Sequence, residues 1–255
     1  MSRVMGIVGF KESGKTSLIE KLARELVGRG FTVGVVKHTT RPYSLDTPRK
    51  DTWRYSQAGA KTSAILTSKE TAIFLHQPEE LDTIMKVLGP LDLVLLEGLK
   101  ELDRVPRIIL ARDKSEVQRL RNGLEVAVIG EIANGNVQDL EIPVLDVYAS
   151  RNVADIVVEK SMPLLPGLNC RKCGFSSCRE LAKEVLEGKA EVSRCVNMPS
   201  KNVQVTLDGT PLKINPFVGK IMKKVVMGVL STLEGVRTPR NVMVQFQVEK
   251  EQRLQ

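Results

Sequence analysis

Residues 9–16 read GFKESGKT, which fits G-x-x-x-x-G-K-[ST], and they lie between an apolar run, VMGIVG, and a helix-forming run, SLIEKLARELVGRG. That setting commits the N-terminal part of the chain to a strand-loop-helix unit. Its backbone N–H groups and helix N-terminus converge on a bound anion. Gly9 and Gly14 let the loop turn its amides inward, with Lys11, Glu12 and Ser13 between them, and Lys15 is placed to neutralise β and γ phosphates. Thr16, with Ser17 beside it, offers a hydroxyl oxygen to Mg²⁺. Gly9, Lys11, Glu12, Ser13, Gly14, Lys15, Thr16 and Ser17 are therefore the candidate nucleotide-binding residues.

Such a loop belongs to an α/β sheet, and residues 1–160 supply the alternation it requires. Strand-like runs are expected at 4–10, 32–38, 62–68, 71–77, 91–98, 107–112, 125–131 and 142–148, with helices at 15–29, 79–87, 114–121 and 151–159. The adjacent runs at 62–77 predict a hairpin, so the sheet need not be wholly parallel. LDLVLLEG places Glu97 at the carboxyl end of a strand, where ligands collect, and makes it the candidate for holding magnesium or orienting water. Asp92, at the start of that run, falls at the opposite end of the sheet. Asp51, in RKDTWR, competes for the magnesium shell, the alternative being an exposed loop acid.

The cysteines form a second signature. Three of the four lie in NCRKCGFSSC, giving Cys170-x2-Cys173-x4-Cys178-x16-Cys195, just after a break at SMPLLPGLN. Zinc ribbons use two close pairs, whereas three near ligands and one remote ligand suit a cubane. RELAKEVLEGK is then the helix that carries the chain to Cys195. A [4Fe-4S] cluster is the favoured reading, with structural zinc and free thiols as alternatives. Gly174 is expected to give the backbone room to offer N–H groups to the sulfides. Arg171, Lys172, Arg179 and Arg194 are placed to offset the charge of four thiolates.

The formal net charge of +8 is uneven, with 23 Lys and Arg against 22 Asp and Glu in residues 1–160 but 15 against 8 in 161–255. An aromatic content of 4%, with no basic run interleaved with aromatics, argues against nucleic acid. No run approaches the length of a spanning helix, and no start resembles a signal peptide, so a cytoplasmic chain with no membrane partner is expected. Beyond Cys195, two short strands around Asp208-Gly209 are expected. A helix over 216–235 carrying Phe217, Ile221, Val225, Val229 and Leu233 and ended by Gly235 follows, with a strand at NVMVQFQVE completing a ββαβ tail. The expected organisation is a nucleotide-binding domain at 1–160, an iron-sulfur domain at 161–200 and a small α+β module at 201–255.

GFKESGKTSLIEKL, VGVVKHT, LDTPRKDTWRYSQAGA and LDLVLLEGLK follow in order over about residues 3–150. Together they resemble the molybdopterin-guanine dinucleotide biosynthesis protein B (MobB) family. The resemblance implies a P-loop GTPase with Mg²⁺ and GTP, a homodimer, and a role in transferring GMP onto molybdopterin with a partner nucleotidyltransferase or a recipient molybdo- or tungsto-enzyme. It implies family roles for Gly9, Gly14 to Ser17, Lys37, His38, Asp46, Asp51 and Glu97. No N-K-x-D guanine signature is present, ARDKSE being only a loose approximation, so GTP over ATP rests on the resemblance. LPGLNCRKCGFSSCRELAKEVLEGKAEVSRC resembles the four-cysteine iron-sulfur domain of corrinoid iron-sulfur proteins and of an electron-transport complex subunit. An alternative function for the fusion is a nucleotide-gated electron-transfer or metallocluster-maturation factor.

Overall fold

A computed structural model describes residues 1–40, 44–135, 137, 139–198, 203, 205–208, 210–212, 214–233 and 242–245. They fall into two compact units, Met1–Met198 and Pro199–Gln255. In the first unit, β1 (Arg3–Gly9) leads into α1 (Lys15–Gly28), followed by β2 (Val33–Lys37), α2 (Asp51–Gln57), β3 (Thr62–Leu66), β4 (Thr71–Leu75) and α3 (Leu81–Val87). Then come β5 (Leu93–Glu97), β6 (Arg107–Leu110), α4 (Lys114–Leu120), β7 (Glu125–Ile129), β8 (Val144–Leu145) and α5 (Ser150–Lys160). The unit closes with β9 (Met162–Pro163) and α6 (Cys178–Leu186).

The main sheet runs β2-β5-β1-β6-β7-β8, and the neighbours along this path are parallel. LVLLE and RIIL are buried at every position, as a parallel sheet covered on both faces requires. Side chains alternate between the faces. Met5, Ile7, Leu93, Leu95, Ile108 and Ile129 pack with Leu18, Ile19, Leu22 and Leu26 of α1 and Val153 and Val157 of α5. Val8, Ile109 and Val128 pack on the other face with Val117 and Leu120 of α4.

The expected hairpin at 62–77 forms, but β3 and β4 make a two-stranded sheet of their own. The antiparallel member of the main sheet is instead β9, which pairs Met162 with Val4 and Pro163 with Arg3. Proline is tolerated there because a two-residue edge pairing demands few ladder bonds.

The break at 160/161 does not separate packing units. Met162 and Leu165 share a buried cluster with Leu124, Cys178, Leu181, Cys195 and Met198, so the cysteine segment closes over the end of the sheet domain. Apolar burial, which Pro163 and Gly167 do not prevent, outweighs their turn-forming tendency.

In the second unit, β10 (Val205–Leu207) and β11 (Thr210–Leu212) pair antiparallel, and α7 (Pro216–Leu230) follows, capped by Asn215, whose Oδ1 accepts from the Val218 N–H. Among the described residues the expected apolar stripe on α7 meets no core: Phe217 is 71% exposed and Val229 61%. Two three-residue strands offer too little surface to cover a four-turn helix. Gly209, Gly235 and most of the final expected strand lie outside the described residues, and residues 242–245 are not in a strand.

Candidate functional site

β1 delivers the loop at its carboxyl end, and the loop's shape follows from its residues. A Cβ on Gly9 would stand 2.4 Å from Ser13 Oγ and 2.8 Å from Leu110 O, so only glycine fits there. Gly14 N-caps α1 in the left-handed region at φ 85°, and no side chain caps that helix. Side chains cap three other helices, Asp113 on α4, Ser177 on α6 and Asn215 on α7, whereas α2, α3 and α5 resemble α1 in having none. The first-turn N–H groups of the 14-residue α1 thus remain available to an anion in a site that already carries a cation. Lys15 Nζ folds back over the loop, donating to Phe10 O at 2.6 Å and Ser13 Oγ at 3.3 Å.

Facing the loop, the end of β5 brings together three of the expected side chains. Glu97 is buried, with its Oε1 accepting from Thr16 Oγ1 at 3.1 Å and from Lys37 Nζ at 3.0 Å. Lys37 also reaches Thr16 Oγ1 at 3.4 Å. Parallel pairing sets this geometry, since Ile7, Lys37 and Glu97 stand in register across β1, β2 and β5. Burial draws the Lys15 ammonium below the ordinary lysine value; Glu97 opposes that, while Lys100 and Lys37 add to it. A carboxylate, a hydroxyl and two ammonium groups around an open helix N-terminus can hold a phosphate chain and its divalent cation.

Other expected residues sit elsewhere. Asp51 is not in a loop: it opens α2, where a first-turn carboxylate favours the helix dipole, and its side chain is 78% exposed and ion-paired to Arg54. Among the described residues it makes no hydrogen bond or ion pair with Thr16 or Glu97. Asp46 is buried and accepts from Thr52 Oγ1 at 2.8 Å, while its Oδ2 has no partner among the described residues. The His38 backbone N–H donates to Glu97 O, and His76 pairs with Ser63 Oγ at 2.8 Å in the hairpin. Asp92, at the far end of the sheet, accepts from the Thr32 N–H and hydroxyl. Asp113 of ARDKSE is committed to capping α4 through the Glu116 N–H, leaving no free carboxylate at the loose guanine signature.

Lys100, which the sequence did not single out, is the fourth charge of this site. It lies three residues past Glu97, with its Nζ 4.2 Å from the Phe10 ring centroid; Arg119 approaches the same ring at 4.4 Å.

The second constellation is a pocket lined by Cys170, Cys173, Cys178 and Cys195 together with Leu168, Asn169 and Asn197. Cys178 opens α6, and Asn169, at φ 45°, takes the Cys178 N–H on its Oδ1 at 2.8 Å. Cys178 and Cys195 are buried in the apolar cluster, Cys173 is half-buried and Cys170 is exposed. Burial pushes the Cys195 thiol up, and neighbouring Cys178 and Cys173 add to that. Asn197 Nδ2 donates to Cys170 Sγ at 3.0 Å, a contact the spacing alone does not announce. Gly174 lies in the left-handed region at φ 90°, and its own N–H closes a turn onto Arg171 O at 3.0 Å. Among the described residues, no three His, Cys, Asp or Glu side chains converge closely enough to hold a single metal ion. Four thiols around one pocket are a soft donor set suited to iron-sulfur ligation. Among the described residues no helix is long and apolar enough to cross a membrane.

A family model described as molybdopterin guanine dinucleotide synthesis protein B matches residues 4–131, and a second, for an Fe-S cluster segment, matches residues 165–196. A molybdopterin-guanine dinucleotide biosynthesis adapter protein of Methanocaldococcus jannaschii is 32% identical over 253 residues, covering 97% of this chain and 99% of that protein. The adapter protein of Escherichia coli is 28% identical over 165 residues, 62% of this chain and 93% of its own. The crystal structure of Bacillus subtilis MobB shares the fold with a TM-score of 0.54 at 22% identity, covering 63% of this chain and 98% of that one.

Proposed function

The chain belongs to the molybdopterin guanine dinucleotide synthesis protein B family, and from that premise we propose that it is a GTP-binding, slowly hydrolysing adapter that also carries a [4Fe-4S] cluster. It serves guanine dinucleotide formation on the molybdenum or tungsten pterin cofactor. Its partner is a molybdopterin nucleotidyltransferase or a recipient molybdo- or tungsto-enzyme, and it acts as a homodimer in the cytoplasm. The observation that carries the nucleotide half is the uncapped N-terminus of α1 with Lys15 folded over the loop and the Thr16-Glu97-Lys37 cluster facing it.

Phosphate oxygens are the natural replacements for Phe10 O and Ser13 Oγ as acceptors of the Lys15 ammonium, so that side chain exchanges partners without leaving its place. The backbone of Gly9 to Thr16 supplies N–H donors. Thr16 Oγ1 and the Glu97 carboxylate would hold Mg²⁺, which would supply positive charge to offset that of the phosphates. Lys37 keeps Glu97 oriented toward Thr16. Anaerobic titration of the purified chain with GTP and ATP in the presence of Mg²⁺ tests this half directly. Saturable binding that favours GTP supports it, and failure of both nucleotides to bind refutes it.

Two expectations follow for the nucleotide site. Glu97→Gln keeps the shape but loses the charge, and single-turnover phosphate release is expected to slow by about tenfold to a hundredfold while affinity for a non-hydrolysable GTP analogue changes little. An unchanged rate would remove Glu97 from the mechanism.

The second concerns pH. Bound phosphate favours the charged form of Lys15, so nucleotide binding takes up a proton wherever the pH exceeds the lowered Lys15 value of the free protein. Affinity is therefore flat below that value and declines as pH rises through it. Lys15→Arg, charged throughout, should bind with no such alkaline limb, and calorimetry across alkaline pH checks the contrast.

For the cluster half, Cys170, Cys173, Cys178 and Cys195 are the ligands. Cys170 is the solvent-facing one, and Asn197 is its hydrogen-bond donor. A donor to a ligating sulfur stabilises the reduced, more negative state. Asn197→Leu is expected to lower the midpoint potential by on the order of tens of millivolts without reducing iron content. A redox titration followed by EPR reads the shift, and an unmoved potential would assign Asn197 to packing alone.

A further inference from the structure

The strand that ends in Glu97 does not simply leave the nucleotide site. Segment 98–104, which follows it, touches both constellations within seven residues. Its start is held at the loop: the Gly98 N–H donates to Ile7 O at 3.0 Å, and Leu99 sits in the left-handed region at φ 51°, a conformation leucine rarely adopts. Lys100 follows, beside the Phe10 ring and close enough to Lys15 to depress its ammonium.

The middle of the segment is clamped. Arg107, buried in β6, donates to Lys100 O at 2.9 Å and to Leu102 O, and reaches Leu120 O at 3.1 Å. Leu99, Leu102 and Val105 pack with Leu164 in one cluster.

The far end grips the cysteine segment. Arg104 is 12% exposed; it donates to Leu165 O, five residues before Cys170, and to Asp82 Oδ2 at 2.7 Å. Gly167 passes directly beneath it, at φ 74°, where a Cβ would stand 3.0 Å from Arg104 Cδ and Nε.

We propose that segment 98–104 is a phosphate-state relay, in which Lys100 meets the terminal phosphate of a bound nucleoside triphosphate and Arg104 passes the displacement to the cysteine segment through Leu165. The proposal rests on the nucleotide and cluster sites of the preceding section and names how the two are joined. Lys100 is exposed and, among the described residues, its ammonium is held by an aromatic face, an interaction of about 0.5–1 kcal/mol at such sites, so a phosphate dianion readily draws it away. The carbonyl clamp from Arg107 makes residues 100–102 move as one piece, and their continuation reaches Arg104. A diphosphate leaves Lys100 on Phe10. The coupling therefore discriminates triphosphate from diphosphate, which is the differential contact a ligand needs to shift an equilibrium.

The test uses the full chain loaded with its cluster, with Mg²⁺ and either GDP or a non-hydrolysable GTP analogue. Two quantities are read: amide hydrogen exchange over residues 164–170 and the EPR spectrum of the reduced cluster. In the wild type the analogue, but not GDP, should change both. In Arg104→Met the change should vanish while analogue affinity stays within about twofold and iron per chain is unaltered. Lys100→Met should weaken analogue binding by about tenfold and leave GDP binding as it was. Arg104→Lys keeps the charge but cannot reach Asp82 and Leu165 O together, and gives a reduced response if the methionine variant folds poorly.

Equal exchange and equal spectra with the two bound nucleotides in the wild type, or a full response in both Arg104 variants, would overturn the relay. Failure of either nucleotide to bind would instead remove the reading beneath it, and the relay with it.

Discussion

Lys15→Ala is expected to weaken Mg²⁺-dependent GTP binding by about a hundredfold or more while leaving thermal stability nearly unchanged. The side chain carries a charge at the mouth of the loop and makes two hydrogen bonds, both to acceptors that phosphate oxygens can replace. Loss of two charge-assisted contacts of about 1.5 kcal/mol or more each accounts for that factor. Stability is spared because the helix is anchored elsewhere, through Leu18, Ile19, Leu22 and Leu26. Lys11 is the control. Its side chain is 76% exposed and paired to Glu12, so Lys11→Ala should move affinity by about threefold at most. Calorimetric titration of both variants beside the wild type separates them, and equal losses would mean that the loop binds through diffuse charge alone.

The second large effect concerns the four thiols, which are not equivalent. Replacing any one by serine is expected to strip most of the iron and sulfide from the purified chain. Only the buried pair should also damage the cluster-free protein. Cys178 and Cys195 belong to an apolar cluster with Leu165, Leu181 and Met198, so a serine hydroxyl there is desolvated at a cost of about 1–3 kcal/mol, offset in part at position 195 by the Asn197 and Met198 N–H groups. Cys170 is exposed, and Cys170→Ser should leave the thermal midpoint of the cluster-free chain in place. Iron analysis with thermal denaturation of each variant, before and after reconstitution, checks both halves of the statement. If Cys170→Ser lowered the midpoint as much as Cys195→Ser, the assignment of a solvent-facing ligand would be wrong.

The parts that could be read from the sequence were those in which local pattern and tertiary demand coincide. The loop is legible because Gly9 leaves no room for a Cβ, because Gly14 takes a positive φ that favours glycine, and because a strand and a helix of different periodicity flank it. Glu97 is legible because a fully apolar strand ending in one carboxylate has few other uses. The hairpin was legible as a hairpin, but its separation from the main sheet was not, because pairing partners are long-range facts that alternation cannot express. The tail helix misled in the opposite way. Four-residue spacing of Phe217, Ile221 and Val225 marks an apolar face but does not say whether the unit that bears it can cover that face.

Asp51, Lys100, Asn197 and Arg104 show the remaining limit. Asp51 is a carboxylate in the expected neighbourhood by sequence, yet α2 turns it to solvent. Lys100 and Asn197 lie three and two residues beyond residues that were recognised, and no spacing rule distinguishes them from ordinary surface side chains. Arg104 and Leu165 meet across 61 positions of chain. Leu124 and Met162 likewise pack the cysteine segment against the sheet domain across residue 160, and neither carries a motif.

One compact unit, Met1–Met198, is proposed to bear both a nucleotide and an iron-sulfur cluster. Native mass spectrometry of the anaerobically purified chain with Mg²⁺ and GTP addresses that most directly. The predicted result is a chain whose mass includes one GTP and a cluster of four irons and four sulfides together. A chain carrying a single zinc in place of the cluster, or one that never holds the nucleotide, would contradict it.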